Sequence, residues 1–253
     1  MDKNYLKARE IWENFKSEIK ERRRFFINEE VTHYLDMLRH PCDSPEERKK
    51  KNNFVDTFHF AFNGILYRSR VGDFSNTDDL KSPPIYLSNN GRCNPKGIRY
   101  LYLSESVTTS ISEVRPNVGD IVTVAHFNIP ISVNFFRFDT YKLMEEHSVN
   151  NRKWINNDIL RNLLDIINED LSLAVTTSSS IDYLPYQFIS EYLRTKGYMG
   201  FAFDSSVRLK INDDDSRGVN YVLFDEKIFD NLEITKLEKY KIKRVDYHYT
   251  EES

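Results

Sequence analysis

Three places along this 253-residue chain carry side chains whose types and spacing can do chemistry. Tyr67-Arg68-Ser69-Arg70 lies in a strand-like run, and a period of two puts Arg68 and Arg70 on one face. Arginine offers a rigid fork of donors that matches phosphate oxygens, although paired arginines on a strand are most often surface charge. Gly91-Arg92-Cys93-Asn94-Pro95-Lys96-Gly97 reads as a turn in which two glycines bracket a cation. Taken alone it is a surface turn. From Leu101 to Arg115 a strand feeds a helix capped by Ser106, and Glu113 sits near the end of the helix's apolar stripe. An acid at such a position is ordinarily exposed.

Other chemistries find no footing. The six histidines are scattered, no H-x-x-x-H or C-x-x-C occurs, and His40-Pro-Cys42 is too short a pair to hold zinc, so no metal is expected. There is no G-x-S-x-G elbow, and no arginine precedes a histidine at the four-to-six-residue spacing of one RNase motif. Neither G-x-x-x-x-G-K-[ST] nor G-x-G-x-x-G is present. The eight glycines are about 3% of the chain, against a usual share of roughly 7%. Nucleotide chemistry here would rest on side chains rather than on a glycine cradle.

The elements that must position these groups follow from patterning. Leu6, Ile11, Trp12, Phe15 and Ile19 predict an amphipathic helix over residues 2–24, and a second is expected over 28–38. The polar stretch 42–53 reads as a loop or a solvated helix. Strands are predicted at 65–71, 99–103, 120–128, 134–138, 200–203 and 220–224, with a last one between 232 and 249. Helices are predicted at 108–114, 158–168 and 186–195, the last stopped by Gly197. A net charge of -3 creates no field that would draw the chain to nucleic acid or to an anionic membrane. With no spanning stretch, no signal peptide and two cysteines, it reads as soluble and cytoplasmic.

Taken in order, Tyr67-Arg68, Gly91-Arg92-x-Asn94-Pro95-x-Gly97, Tyr100-Leu-Tyr-Leu-Ser104 and Ser112-Glu113-Val114 resemble the RES-domain family, which includes the toxins of RES–Xre toxin–antitoxin pairs. Tyr183-Leu-Pro-Tyr-Gln187, Gly200-Phe-Ala-Phe-Asp-Ser-Ser206 and Asn220-Tyr-Val-Leu-Phe-Asp225 continue the resemblance, which spans roughly residues 62–226. Cys93 and Tyr186 depart from its pattern.

The resemblance implies an α+β fold similar to the diphtheria-toxin-like ADP-ribosyltransferases: a split β-sheet core with flanking helices. Residues 61–253 would form the NAD-binding catalytic domain, and residues 1–60 resemble the helical extension of longer members. It also implies NAD+ as substrate, with Arg68 and Arg92 on the pyrophosphate and Glu113 as the carboxylate beside the ribose. Tyr102 would stack on nicotinamide. Ser206 is the favoured family serine, with Ser205 the other candidate; Ser205 and Asn220 join the residues expected to bind the dinucleotide. The implied activity is cleavage of the nicotinamide–ribose bond by water or phosphate, which depletes NAD+ and arrests growth. Mono-ADP-ribosyl transfer to a protein and a non-catalytic nucleotide- or partner-binding role are the alternatives. A cognate Xre-type antitoxin is the implied protein partner. Trp12, Phe15, Phe25 and Phe26 are expected to join the core, with a partner-binding patch as the alternative.

Overall fold

A computed structural model describes residues 2–25, 29–36, 59–139, 158–173, 180–211 and 214–245, without the side chains of residues 59, 61 and 206–217. The expected polar segment at 42–53, Phe26 and the last eight residues lie outside it.

Helix α1 (Lys3–Glu21) begins where the Asp2 side chain accepts from the Asn4 N–H at 3.1 Å. Its buried residues Ala8, Ile11, Trp12, Phe15 and Ile19 recur at helical spacing, and they face α4 (Asp158–Ser172) and α5 (Leu184–Thr195). Trp12 Nε1 donates to Asp170 Oδ2 at 2.6 Å, and Lys16 Nζ meets the same oxygen at 2.7 Å. Trp12 and Phe15 are therefore core residues, whereas Phe25 is exposed. Helix α2 (Glu29–Asp36) adds Val31 and Leu35 to the same core. Helix α5 starts two residues before its expected position, with Pro185 in the first turn, and Gly197 follows its end at φ +83°.

Eight strands form one mixed sheet: β1 (His59–Ala61), β2 (Gly64–Val71), β3 (Leu101–Ser104), β4 (Ile121–Ile129), β5 (Asn134–Arg137), β6 (Gly200–Ile211), β7 (Asp214–Leu223) and β8 (Ile234–Lys241). Their order is β1-β5-β6-β7-β3-β2-β4-β8, and only β5 and β6 run parallel. Helices α4 and α5 make the crossover between those two, as a parallel pair requires. Alternation along the strands separates two cores. Tyr100, Phe136, Phe201, Val222 and Phe224 face the helices; Leu66, Leu101, Leu103, Phe127 and Leu223 face the other side, which α6 (Glu226–Phe229) covers with Phe229.

The sheet is nearly cut in two. β2 pairs with β4 over eight residues, but it touches β3 at a single pair, Tyr67 with Ser104. Five strands lie on one side of that bridge and three on the other. The expected α+β class, split sheet and N-terminal helix are what the chain forms. Among the differences from the patterning, β1 and α6 have no counterpart in it, and the strands at 200–203 and 220–224 are the roots of a longer hairpin. The run Val207-Arg208-Leu209-Lys210-Ile211 alternates as a strand does, and the expected strand bounds stop short of it.

Candidate active site at the parting of the sheet

Register places Phe203, Asn220, Ser104, Tyr67 and His126 in one row across one face of the sheet. Over this row lies the short helix α3 (Val107–Glu113), one residue ahead of its expected span. Ser106 caps it by accepting from the Thr109 N–H at 3.0 Å. Two contacts fix its height. Ser69 and Ser110 join by their hydroxyls at 2.8 Å, tying α3 to β2. On the β7 side, a Cβ at Gly218 would stand 2.3 Å from Thr109 Oγ1, so the close approach needs glycine.

Glu113 is the last residue of α3, and it reaches the five-stranded side of the bridge. Its Oε1 accepts from Ser205 Oγ at 2.5 Å and from Asn220 Nδ2 at 2.6 Å. Ser104 Oγ donates to Asn220 Oδ1 at 2.8 Å, and because a carboxylate only accepts, the Asn220 amide keeps its nitrogen toward Glu113. Oε2 has no hydrogen-bond partner among the described residues, and the side chain is exposed to the cleft. One oxygen is anchored and the other presented.

Arg68 enters from the gap between the halves. Alternation turns it away from Tyr67, and its Nη1 donates to the Tyr102 carbonyl at 3.2 Å, a group that β2 leaves unpaired where it splays from β3. Its Nε is buried without a partner among the described residues. Burial, reinforced by Arg70, pulls the guanidinium down to about 10, so it stays charged at neutral pH. A buried, incompletely satisfied cation is a receptor for an anion.

The Arg92 turn forms the far wall. Asn94 Nδ2 donates to the carbonyls of Asn89 (3.0 Å) and Ile98 (2.9 Å), and its Oδ1 accepts from the Tyr102 hydroxyl at 2.7 Å. That hydroxyl in turn accepts from the Cys93 N–H at 3.1 Å. A Cβ at Gly91 would lie 2.3 Å from Asn94 Oδ1, so the turn closes only over glycine. Burial pushes the Tyr102 hydroxyl well above its ordinary value and the Cys93 thiol up to about 12, so neither ionises near neutrality. Arg92 Nη1 donates to the Leu171 carbonyl at the end of α4.

The resulting cleft measures about 300 Å³. Arg68, Arg92, Tyr102, Glu113 and Asn220, named from the sequence, all line it, and Ser205 meets Glu113 beside it. The Tyr102 ring lines the cleft while its hydroxyl is committed to the turn. Ser206 belongs to the part of β6 whose side chains are not described; Ser205 is the serine seen on Glu113. Sequence reasoning assigned no role to Ser69, Ser104, Ser110 and Tyr67. Ser104 ends the Leu-Tyr-Leu-Ser run, but only register shows that it faces Asn220.

A family model for the RES domain matches residues 73–244, more than half of the chain, and the chain belongs to the RES-domain family. RES domains are known from toxin–antitoxin systems and from NAD-related enzymes. The matched span includes Arg92, Tyr102, Glu113, Ser205, Ser206 and Asn220, and it begins just after the strand that carries Arg68. No curated protein matches the chain. No described helix is long and apolar enough to cross a membrane.

Proposed function

We propose that this chain cleaves the nicotinamide–ribose bond of NAD+, passing the ADP-ribosyl group to water or phosphate. The observation that carries the reading is the charge inventory of the cleft: one carboxylate, Glu113, and two arginines, Arg68 and Arg92, among the described lining residues. Ordinary glycoside cleavage uses two carboxyl groups because the departing oxygen must be protonated. Nicotinamide in NAD+ is already cationic. When its bond to the ribose C1′ breaks, the electron pair returns to the ring nitrogen and a neutral molecule leaves without an acid. One carboxylate then suffices.

In this reading Arg68 and Arg92 hold the pyrophosphate, with donors that match its oxygens. The Tyr102 ring offers a flat face to nicotinamide, kept rigid by the hydroxyl's bonds to Asn94 and Cys93. Positive charge grows on the ribose as the bond opens, and the free oxygen of Glu113 stabilises it. Ser205 and Asn220 keep that carboxylate from turning away. Attack of a water or phosphate oxygen on C1′ forms the new C–O bond and completes the transfer, and an attacking water releases one proton to solvent. The toxin–antitoxin setting of the family extends the proposal to growth arrest relieved by an Xre-type antitoxin.

Purified protein incubated with NAD+, with and without phosphate, is expected to release nicotinamide together with ADP-ribose or its phosphorylated form. Glu113→Gln should slow release by about 10²–10³-fold, the usual cost of a lost electrostatic stabiliser. No nicotinamide from the wild type, or full release from Glu113→Gln, overturns the reading. Adding lysate separates the acceptors: label retained on a protein band means transfer to protein.

A further inference from the structure

We propose that Gln187 is a positioning residue for the Arg92 turn, setting Arg92 and the Tyr102 ring without touching substrate itself. The side chain sits in the first turn of α5 and is 6% exposed. Its Nε2 lies 2.9 Å from Asn90 Oδ1, 2.9 Å from the Gly91 carbonyl and 3.1 Å from the Asn94 carbonyl. Two N–H groups serve three acceptors, so one bond is shared. Turned over, the amide would set its own oxygen against three others, and this fixes its orientation.

The three acceptors stand on both sides of Arg92 in the chain. The Asn94 carbonyl also accepts from the Gly91 N–H at 2.9 Å, closing the turn, and the Asn94 side chain holds the Tyr102 hydroxyl. A single amide from α5 thus fastens the frame in which a cleft arginine and a cleft aromatic are both set. Asn94 Nδ2 is not free to replace it, being committed to the Asn89 and Ile98 carbonyls. None of the groups around Glu113 bonds to Gln187. Loss of Gln187 should therefore disturb substrate binding and spare the bond-breaking step.

The kinetic part of this inference rests on the NAD+-cleaving reading; the structural part does not. Gln187→Leu removes both donors, and Gln187→Glu keeps the shape with one donor when its carboxyl is protonated and none when it is ionised. In the full chain, amide hydrogen exchange over residues 89–98 is expected to quicken about tenfold or more in both variants, with β2 and β4 unchanged. KM for NAD+ should rise about tenfold while kcat stays within about twofold, the signature of a lost binding contact. As pH falls and the introduced carboxyl is protonated, one donor returns, so KM of Gln187→Glu should recover and that of Gln187→Leu should not. Unchanged exchange over 89–98 overturns the inference. So does exchange that quickens throughout the chain, with activity lost only in proportion to folded protein, or an unchanged KM in a loosened turn. A wild type that releases no nicotinamide sinks the proposed function alone, and the exchange experiment still decides the role of Gln187.

Discussion

Removing the two donors on Glu113 probes the site at its most constrained atom. Ser205 Oγ and Asn220 Nδ2 both donate to Oε1, at 2.5 and 2.6 Å. Hydrogen bonds to a charged group are worth about 1.5–3 kcal/mol. Glu113 is exposed to water, so the lower part of that range applies, about 1.5–2 kcal/mol. In Ser205→Ala and Asn220→Ala, kcat for nicotinamide release should each fall about 10- to 30-fold. KM for NAD+ should hardly change, because Arg68 and Arg92 keep their contacts. Two donors on one oxygen cannot act independently. Once either is gone the carboxylate can swing at the end of α3, and losing the other costs less. The double variant should fall well short of the product of the single effects, at about two to four times the larger single loss. Steady-state nicotinamide release by the four proteins, with melting temperatures to verify folding, measures the coupling. Wild-type kcat in either single variant refutes the anchoring argument. A double variant equal to the product refutes the shared-oxygen argument, and a loss carried by KM would move both residues to binding.

Three further outcomes follow from the geometry. Burial, with Arg70 nearby, lowers the Arg68 guanidinium toward about 10, and a base with a lowered value is charged below it and neutral above it. NAD+ affinity of the slow variant Glu113→Gln, measured by equilibrium dialysis, should stay level to about pH 9 and weaken through about pH 10; a level affinity that Arg68→Ala also leaves unchanged would remove Arg68 from the binding site. Gly218→Ala sets a Cβ 2.3 Å from Thr109 Oγ1 and must lift α3 from β7. The chain should lose about 1–3 kcal/mol in denaturant unfolding and lose kcat with it, since α3 carries Glu113; unchanged values contradict the packing. Trp12→Ala empties a fully buried site between α1 and α4 and should cost about 3–5 kcal/mol by the same measurement, whereas a cost below about 1 kcal/mol would mean that α1 is not part of the core.

Local pattern made much of the fold legible. The spacing of Ile11, Trp12, Phe15 and Ile19 specified a helix face. The Leu-Tyr alternation of β3 specified a strand with two different sides, one for each core. Ser106 ahead of α3 and Gly197 behind α5 marked helix ends through their own capping chemistry. These signals are local because each depends on residues within one turn or one pleat. The parting of β2 from β3 has no such mark. Both read as ordinary strands, and the single Tyr67–Ser104 pair that joins them depends on which strands become neighbours.

The site divides along the same line. Arginines, a glutamate and a tyrosine were visible as types, and the order of their motifs pointed to a family. What each could reach was not visible. Glu113 at a helix end ordinarily faces water, and here one of its oxygens does. Its other oxygen is held by residues 92 and 107 positions further along the chain. Ser104 illustrates the limit: a small polar residue ending an apolar strand reads as a turn signal. Only the register that sets it opposite Asn220 shows that its hydroxyl meets the amide oxygen. The same reasoning explains why the arginines need no glycine cradle. Backbone amides can receive a phosphate only where the chain turns freely, but a split sheet leaves a carbonyl of β3 unpaired at its inner edge. Arg68 takes that carbonyl with Nη1, while its Nε is buried without a partner among the described residues. In the proposed function, the gap in the sheet is what lets a strand residue reach the pyrophosphate, and a continuous β2–β3 ladder would bury that arginine against its own backbone.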